Sequence, residues 1–185
     1  NEGNSGLGYR VCKSCGYAEP ASYSSKAHKN SHKRPFTGRD CAGNFQTYAL
    51  AHRYMTDVLE IKFDNLSALS NDMQEDSTLR SALYALLEGA VRALGIRRDD
   101  LDGTLYHGSQ DRSFIIYDRV PGGAGHSKRI SEEFPLVLQQ AIEHVSNPCC
   151  GPETSCSECL RNYYNQRYHP SLRRGMALEF LNKLN

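Results

Sequence analysis

Long apolar runs are missing from this 185-residue chain. Apolar stretches last only a few residues, as in Phe114-Ile115-Ile116-Tyr117, and the mean hydropathy is -0.60, so no membrane-spanning helix is expected. A charge imbalance is missing too: 22 Lys and Arg stand against 21 Asp and Glu, and a net charge of +1 gives no global reason to bind a polyanion or an anionic membrane. Counting glycine and setting tyrosine aside, roughly 41% of the residues are apolar against a customary 45 to 50%, which predicts a thin core. No secretory signal opens the chain, no internal repeat is visible, and the length excludes a complete helicase, kinase or synthetase. The first residue is Asn1 rather than Met, so the piece is read as starting inside a longer polypeptide, with residues 1–8 a flexible lead-in.

An even cysteine count is also lacking. Seven cysteines do not suit a closed disulfide framework, which a chain of this size does not need. Their spacing suits metal instead. Cys12-x2-Cys15 is followed by His28, His32 and Cys41, and Cys149-Cys150-x5-Cys156-x2-Cys159 forms a second cluster far away. Three cysteines with one histidine, and four cysteines, make two tetrahedral sets that use every thiol. A C-x2-C pair lets two thiolates reach one zinc ion at about 2.3 Å while turn amides donate to the sulfurs. The competing readings are buried free thiols or a redox pair at the first site, and an iron-sulfur cluster at the second. His144 is the reserve ligand, because adjacent Cys149 and Cys150 must turn sharply to meet one ion.

Charge is uneven along the chain. Residues 72–102 are acid-rich, whereas Lys26, Lys29, Lys33, Arg34 and Arg39 lie between the first cysteines, and Arg161, Arg167, Arg173 and Arg174 follow the last ones without an acid among them. Residues 9–44 lack hydrophobic periodicity and are read as a loop-rich lobe stapled by metal. Alternation over residues 55–63 predicts a strand with Leu59, Ile61 and Phe63 on one face. Leu79, Leu83, Leu86, Leu87, Ala90, Val91 and Leu94 recur at helical spacing, capped by Asp76 or Ser77 and stopped by Gly95. Short strands are expected at residues 104–107 and 113–119. Helices follow at 132–145, with Ser131 as cap and Pro135 in the first turn, at 160–168, and after Ser171.

Pro121-Gly122-Gly123-Ala124-Gly125 joins a predicted strand to a predicted helix. There Gly122, Gly123 and Gly125 form a candidate anion-binding loop, the alternative being a tight turn that needs positive φ. It is no Walker A loop, because Ser127 precedes Lys128 where glycine is required and Arg129 follows where Ser or Thr is required. His126, Lys128 and Glu133 faintly resemble the His-Lys-Asp motif of phospholipase D-type phosphodiesterases, which keeps a nuclease-like enzyme as an alternative. Arg161, Arg167, Arg173 and Arg174, interleaved with Tyr163, Tyr164 and Tyr168, form a candidate nucleic-acid surface, or else a solvated helix face. His52, His107 and His169 have no spaced partners and are read as structural.

Taken in order, these motifs become recognisable: Cys12-x2-Cys15-Gly16, His32 to Cys41, Ala51-His52-x3-Thr56-Asp57-Val58-Leu59, Tyr117-Asp118-x2-Pro121-Gly122-Gly123-Ala124-Gly125, and Cys156-x2-Cys159-Leu160-x2-Tyr163-x-Asn165-Gln166-x2-His169. The succession resembles the C-terminal zinc-binding (MZB) domain of MrfA-type and DISARM-type DEAD/DEAH-box helicases. The resemblance implies a cytoplasmic accessory domain in DNA repair or phage defence. Cys149, Cys150, Cys156 and Cys159 would hold zinc in it, and His32 is preferred to His28 at the first site. The chain departs from the family where two cysteines stand one residue apart, here adjacent, and at Arg173, where the family has an acid.

The expected architecture is α+β, a small antiparallel sheet packed by helices with two cysteine-rich zinc lobes: residues 9–44, and a core of 45–185 carrying the C-terminal site. The expected cofactor is zinc, two ions, both structural. The expected partners are DNA, bound weakly and without sequence preference, and helicase motor domains in the same or a partner chain. A pure docking scaffold is the further alternative. This chain alone is expected not to catalyse, the parent being an ATP-dependent helicase.

Overall fold

The computed structural model describes residues 6–22, 31–49, 51, 53–63, 72–108 and 112–184. Lys26, His28, Lys29 and His52, and most of the lead-in, lie outside them. The chain folds as two units, Asn1–Arg53 and Tyr54–Asn185.

The N-terminal unit is built on β1 (Tyr9–Cys12), the centre of a three-stranded antiparallel sheet between β2 (Ala18–Pro20) and β5 (Phe45–Tyr48). Arg10 stands opposite Glu19 and pairs with it at 2.9 Å, and Cys12 stands opposite Phe45. A second hairpin joins β3 (His32–Lys33) to β4 (Asp40–Cys41), with His32 directly across from Cys41. These strands were expected as loop. They are too short and too exposed to show a period of two, and backbone pairing rather than an apolar face defines them. Because β5 pairs with β1, this unit continues past the expected boundary at residue 44.

Among its described residues only Gly8, Cys12, Ala21 and Cys41 are buried, so the side chains at its centre are the cysteines themselves.

The second unit carries the sheet β6-β8-β7, antiparallel throughout, from β6 (Val58–Lys62), β7 (Leu101–His107) and β8 (Arg112–Asp118). On central β8, Phe114, Ile116 and Asp118 alternate onto the buried face. α1 (Asp72–Leu94) packs on β7, α3 (Phe134–Ser146) and α4 (Arg174–Asn182), so Leu79 and the run Ala82 to Leu87 are buried around most of its girth. At Gly89 a Cβ would stand 2.5 Å from the Val137 carbonyl oxygen, so the missing side chain lets the backbones of α1 and α3 come together there. Phe63, Phe114 and Phe180 close the core with ring centroids 4.6 and 5.4 Å apart from Phe63.

The α+β architecture is as expected, while several caps differ. α1 begins before Asp76 and Ser77: Asp76 instead binds Arg80 at 2.9 Å, and the Ser77 hydroxyl donates to the Ser171 carbonyl. Ser131 lies inside a short helix α2 (His126–Glu132), and α3 starts only after the break at Glu133. Residues 160–168 form no α-helix but a 3-10 segment, Tyr163–Tyr168, because Asn162 caps it and Asn165 leaves helical geometry. Ser171 turns its hydroxyl back to the Tyr168 carbonyl, and α4 starts at Arg174.

Candidate metal centres

The first centre is assembled by two hairpins. Cys12 ends β1, its amide donates to Tyr17 O at 2.8 Å, and Gly16 donates back to Cys12 O at 2.9 Å, so Cys15 is carried on the tip of a tight turn. The β3–β4 register puts His32 and Cys41 on one face. Sγ of Cys12 lies 3.9 Å from that of Cys41, and Cys15 Sγ lies 3.1 Å from His32 Nε2. Tyr17 stacks on the imidazole at 4.9 Å and Phe45 meets its edge at 5.0 Å, which fixes the ring plane. Burial raises the Cys12 thiol, but hydrogen bonds from the Ser14 and Cys15 amides and from the neighbouring thiols outweigh it and bring the group down to about 6.

The second centre joins Cys149, Cys150, Cys156 and Cys159, whose Sγ pairs lie 3.4 to 3.8 Å apart where they touch. In both sets all four ligand atoms lie within 4.8 Å of one another. Thiolates bound at about 2.3 Å on a tetrahedral ion are themselves about 3.8 Å apart, so both sets have the dimensions of a single zinc ion. The sulfurs are too far apart for a disulfide and too close to span separate irons. Adjacency of Cys149 and Cys150 is accommodated because Cys149 N bonds Asn147 O at 2.8 Å, tightening the chain just before the pair. Burial raises the Cys159 thiol, whereas Cys156 is lowered because bonds from Cys149 and the Glu158 amide overcome its burial. Thiols this close share protons unevenly, and a divalent cation relieves the repulsion among them once ionised.

The reserve ligand takes a different part. His144 Nε2 donates to the Cys159 carbonyl at 2.8 Å, orienting the cysteine turn from α3. Behind that turn, Asn165 is fully buried; its amide nitrogen donates to Leu160 O at 2.7 Å, and its oxygen accepts from His169 Nε2 at 2.9 Å. His169 is structural, as expected, and this Asn165–His169 pair was not foreseen.

The four candidate arginines separate. Arg167 is exposed and lies over the Tyr168 ring at 4.5 Å. Arg161 donates to Ser155 Oγ at 3.0 Å, and Arg173 folds onto Pro170 O at 2.7 Å and Leu172 O at 3.1 Å. Arg174, expected on a polar face, is buried: it donates to Val145 O at 2.8 Å and Cys150 O at 3.0 Å, tying the end of α3 to the cysteine turn. A zinc tetrathiolate is doubly negative, so a buried cation beside it is electrostatically matched. Arg174 is therefore an internal tether and not a surface base. Arg174→Ala is expected to cost about 3 kcal/mol or more, the size of two charge-assisted hydrogen bonds, as read by urea denaturation of the zinc-loaded chain.

The glycine loop does bind an anion, and the anion is the chain's own. Gly122, Gly123 and Gly125 all have positive φ, and the amides they expose converge on Asp118, which accepts from Ala124 N at 2.7 Å, His126 N at 3.0 Å, and Ser127 N and Oγ at 2.8 and 2.5 Å. Asp57 accepts from Gly125 N at 3.3 Å. Burial works against the Asp118 charge, but these four bonds prevail and hold its carboxyl below the usual range. The loop's amides are thus spent, which corrects the external anion site. His126 and Lys128 stand two apart on α2 and so on different faces, and Lys128 faces Glu132 at 3.8 Å. The phosphodiesterase constellation is not assembled.

Fold and donor sets together define an α+β zinc-binding domain with two metal centres. Residues 82–160 match the family model described as MZB, MrfA Zn-binding domain. The matched residues end just past Cys159 and take in the second centre, while the first centre lies outside them. The Druantia protein DruE of Escherichia coli (strain UMEA 4076-1) is 29% identical over 204 aligned residues, covering 98% of this chain and 11% of DruE. Among solved structures, the DUF1998 helicase MrfA bound to DNA has the same fold with a TM-score of 0.55 at 15% identity, over 83% of this chain and 20% of that one. The chain therefore spans a small part of both relatives.

Proposed function

We propose that this chain is the zinc-binding accessory domain of a helicase-like DNA-processing protein, with the motor outside these residues and a role in DNA repair or phage defence. What carries the reading is the MZB match around a closed four-cysteine centre with arginines at its margin. Cys12, Cys15, His32 and Cys41 hold one zinc, and Cys149, Cys150, Cys156 and Cys159 the other. Four protein ligands leave no open position, so both ions are structural. The residues around them do the work of placement: Tyr17 and Phe45 fix His32, while His144, Arg174 and Asn165 fix the second turn. Reduced thiols and a DNA partner fit a cytoplasmic protein, and among the described residues no helix is long and apolar enough to cross a membrane.

DNA contact is through phosphates, using Arg161, Arg167 and Arg173. These three give a log-log salt slope of magnitude at most about 2.7 on duplex DNA, with affinity on the order of micromolar or weaker and no sequence preference. Arg167→Gln combined with Arg173→Gln is expected to lower that slope by up to about 1.8 in an anisotropy titration, since each phosphate contact contributes about 0.9. An unchanged slope in a folded, zinc-loaded double variant contradicts the DNA reading and leaves a protein-docking scaffold.

A further inference from the structure

The two centres differ in what an oxidant can reach. In the first, Cys12 and Cys41 are 1% and 7% exposed, with their sulfurs 3.9 Å apart. Cys15 is half-buried, but the ligand beside it at 3.1 Å is the imidazole of His32. An imidazole offers no sulfur for a disulfide, so a bridge at this centre has to draw on a buried thiol. In the second centre Cys149, Cys150 and Cys156 are all half-buried, and only Cys159 is buried. Two of the half-buried sulfurs, those of Cys149 and Cys156, lie 3.4 Å apart, closer than the 3.8 Å of the Cys150–Cys159 and Cys156–Cys159 pairs.

A closed coordination shell hides the ion, but a thiolate that serves as a ligand is still a nucleophile. Its reaction with a hydroperoxide depends on access, and the reversible outcome depends on a second sulfur within reach. Cys149 and Cys156 meet both conditions. Between them residues 151–154 are exposed and not packed into the core, so little opposes closing the sulfurs from 3.4 Å to the roughly 2.05 Å of a disulfide. The adjacent pair Cys149 and Cys150 is disfavoured. Neighbouring Cα atoms stand about 3.8 Å apart across a trans peptide, short of the roughly 4.4 Å at which disulfides ordinarily begin.

We infer that Cys149 and Cys156 form a peroxide-sensitive modification site, at which oxidation to a disulfide withdraws two of the four donors and releases the second zinc while the first stays bound. One sulfur of the pair attacks a peroxide oxygen, the O–O bond breaks, hydroxide leaves and a sulfenic acid forms. The other sulfur then displaces hydroxide from it and the S–S bond closes. Two electrons pass from the two thiolates to the peroxide, and both hydroxides take protons from solvent to become water. The test treats the zinc-loaded chain with hydrogen peroxide and follows free zinc with pyridylazoresorcinol. Release in two steps of one zinc each is expected, the first at least about tenfold faster, as access dictates. After the first step, the remaining thiols are alkylated in denaturant and the chain is cleaved after Glu143, Glu153 and Glu158. Residues 144–153 should then be joined to residues 154–158 through Cys149 and Cys156, with Cys12, Cys15 and Cys41 alkylated. Reductant with added zinc should restore the metal. Oxidation of the first centre before or together with the second, a Cys149–Cys150 bridge, or sulfinic acid without a bridge overturns the inference. It rests on zinc at the second centre: an untreated chain without that ion overturns both readings, whereas a chain that keeps two zinc ions through the treatment overturns this one alone.

Discussion

Cys41→Ser is expected to abolish the fold of the N-terminal unit, while the second unit stays folded. Structural zinc contributes an apparent free energy of about 10 to 16 kcal/mol at neutral pH, as large as the whole stability of an ordinary domain. In this unit there is little else to hold the strands, since Cys12 and Cys41 are themselves its buried side chains, together with Gly8 and Ala21 among the described residues. The second unit differs in kind. It keeps a continuous apolar core from Leu79 on α1 to Leu181 on α4. Hydrogen exchange read residue by residue separates the two behaviours. Loss of protection at Val11 and Gln46 with retained protection at Leu83 and Ile116 is the expected pattern, and retained protection in β1 and β5 means that backbone pairing suffices without metal.

Asp118→Ala should be the most damaging single change outside the cysteines, destabilising the second unit by about 3 to 6 kcal/mol. The substitution leaves three backbone amides and the Ser127 hydroxyl without their acceptor in a buried turn, at about 1 to 3 kcal/mol for each unsatisfied group. Some of that is recovered by water entering the loop. The same carboxylate imposes a pH dependence. Its folded pKa is lowered, so its contribution is fully present above the ordinary carboxylate value and is lost as pH falls through the folded one. Asp118→Asn should remove this acid-range dependence along with part of the stability, measured as denaturation midpoints against pH. A variant whose midpoints follow pH as the parent's do would assign the acid sensitivity to another group.

Both cysteine sets were legible in the sequence, because metal spacing is a local pattern and seven thiols divide between two sets without remainder. The long helix through Leu83 and the apolar strand through Phe114 were legible for the same reason: burial on one side writes a period into the residues. Other features follow from contacts that periodicity does not record. The N-terminal strands are two to four residues long and, apart from Cys12 and Cys41, none of their residues is fully buried. Arg174 looks like one more surface base, and only the meeting of α4 with the end of α3 at Val145 and with Cys150 shows it to be an internal tether. The glycine loop was read as a site for an external anion or else a tight turn, and its composition could not say that Asp118, at the end of the preceding strand, turns back into it and takes its amides. Asp118 and Asn165 stand in the family-like pattern with no role legible from spacing, and the geometry supplies one: each holds a turn in shape.

Metal content per folded chain bears most directly on the two centres. Native mass spectrometry with elemental analysis of the intact, colourless protein should find two zinc ions per chain, falling to one in both Cys41→Ser and Cys156→Ser and to none when the two are combined. A single zinc in the parent chain, or stoichiometric iron with visible thiolate-to-iron absorption, would contradict two closed zinc sites.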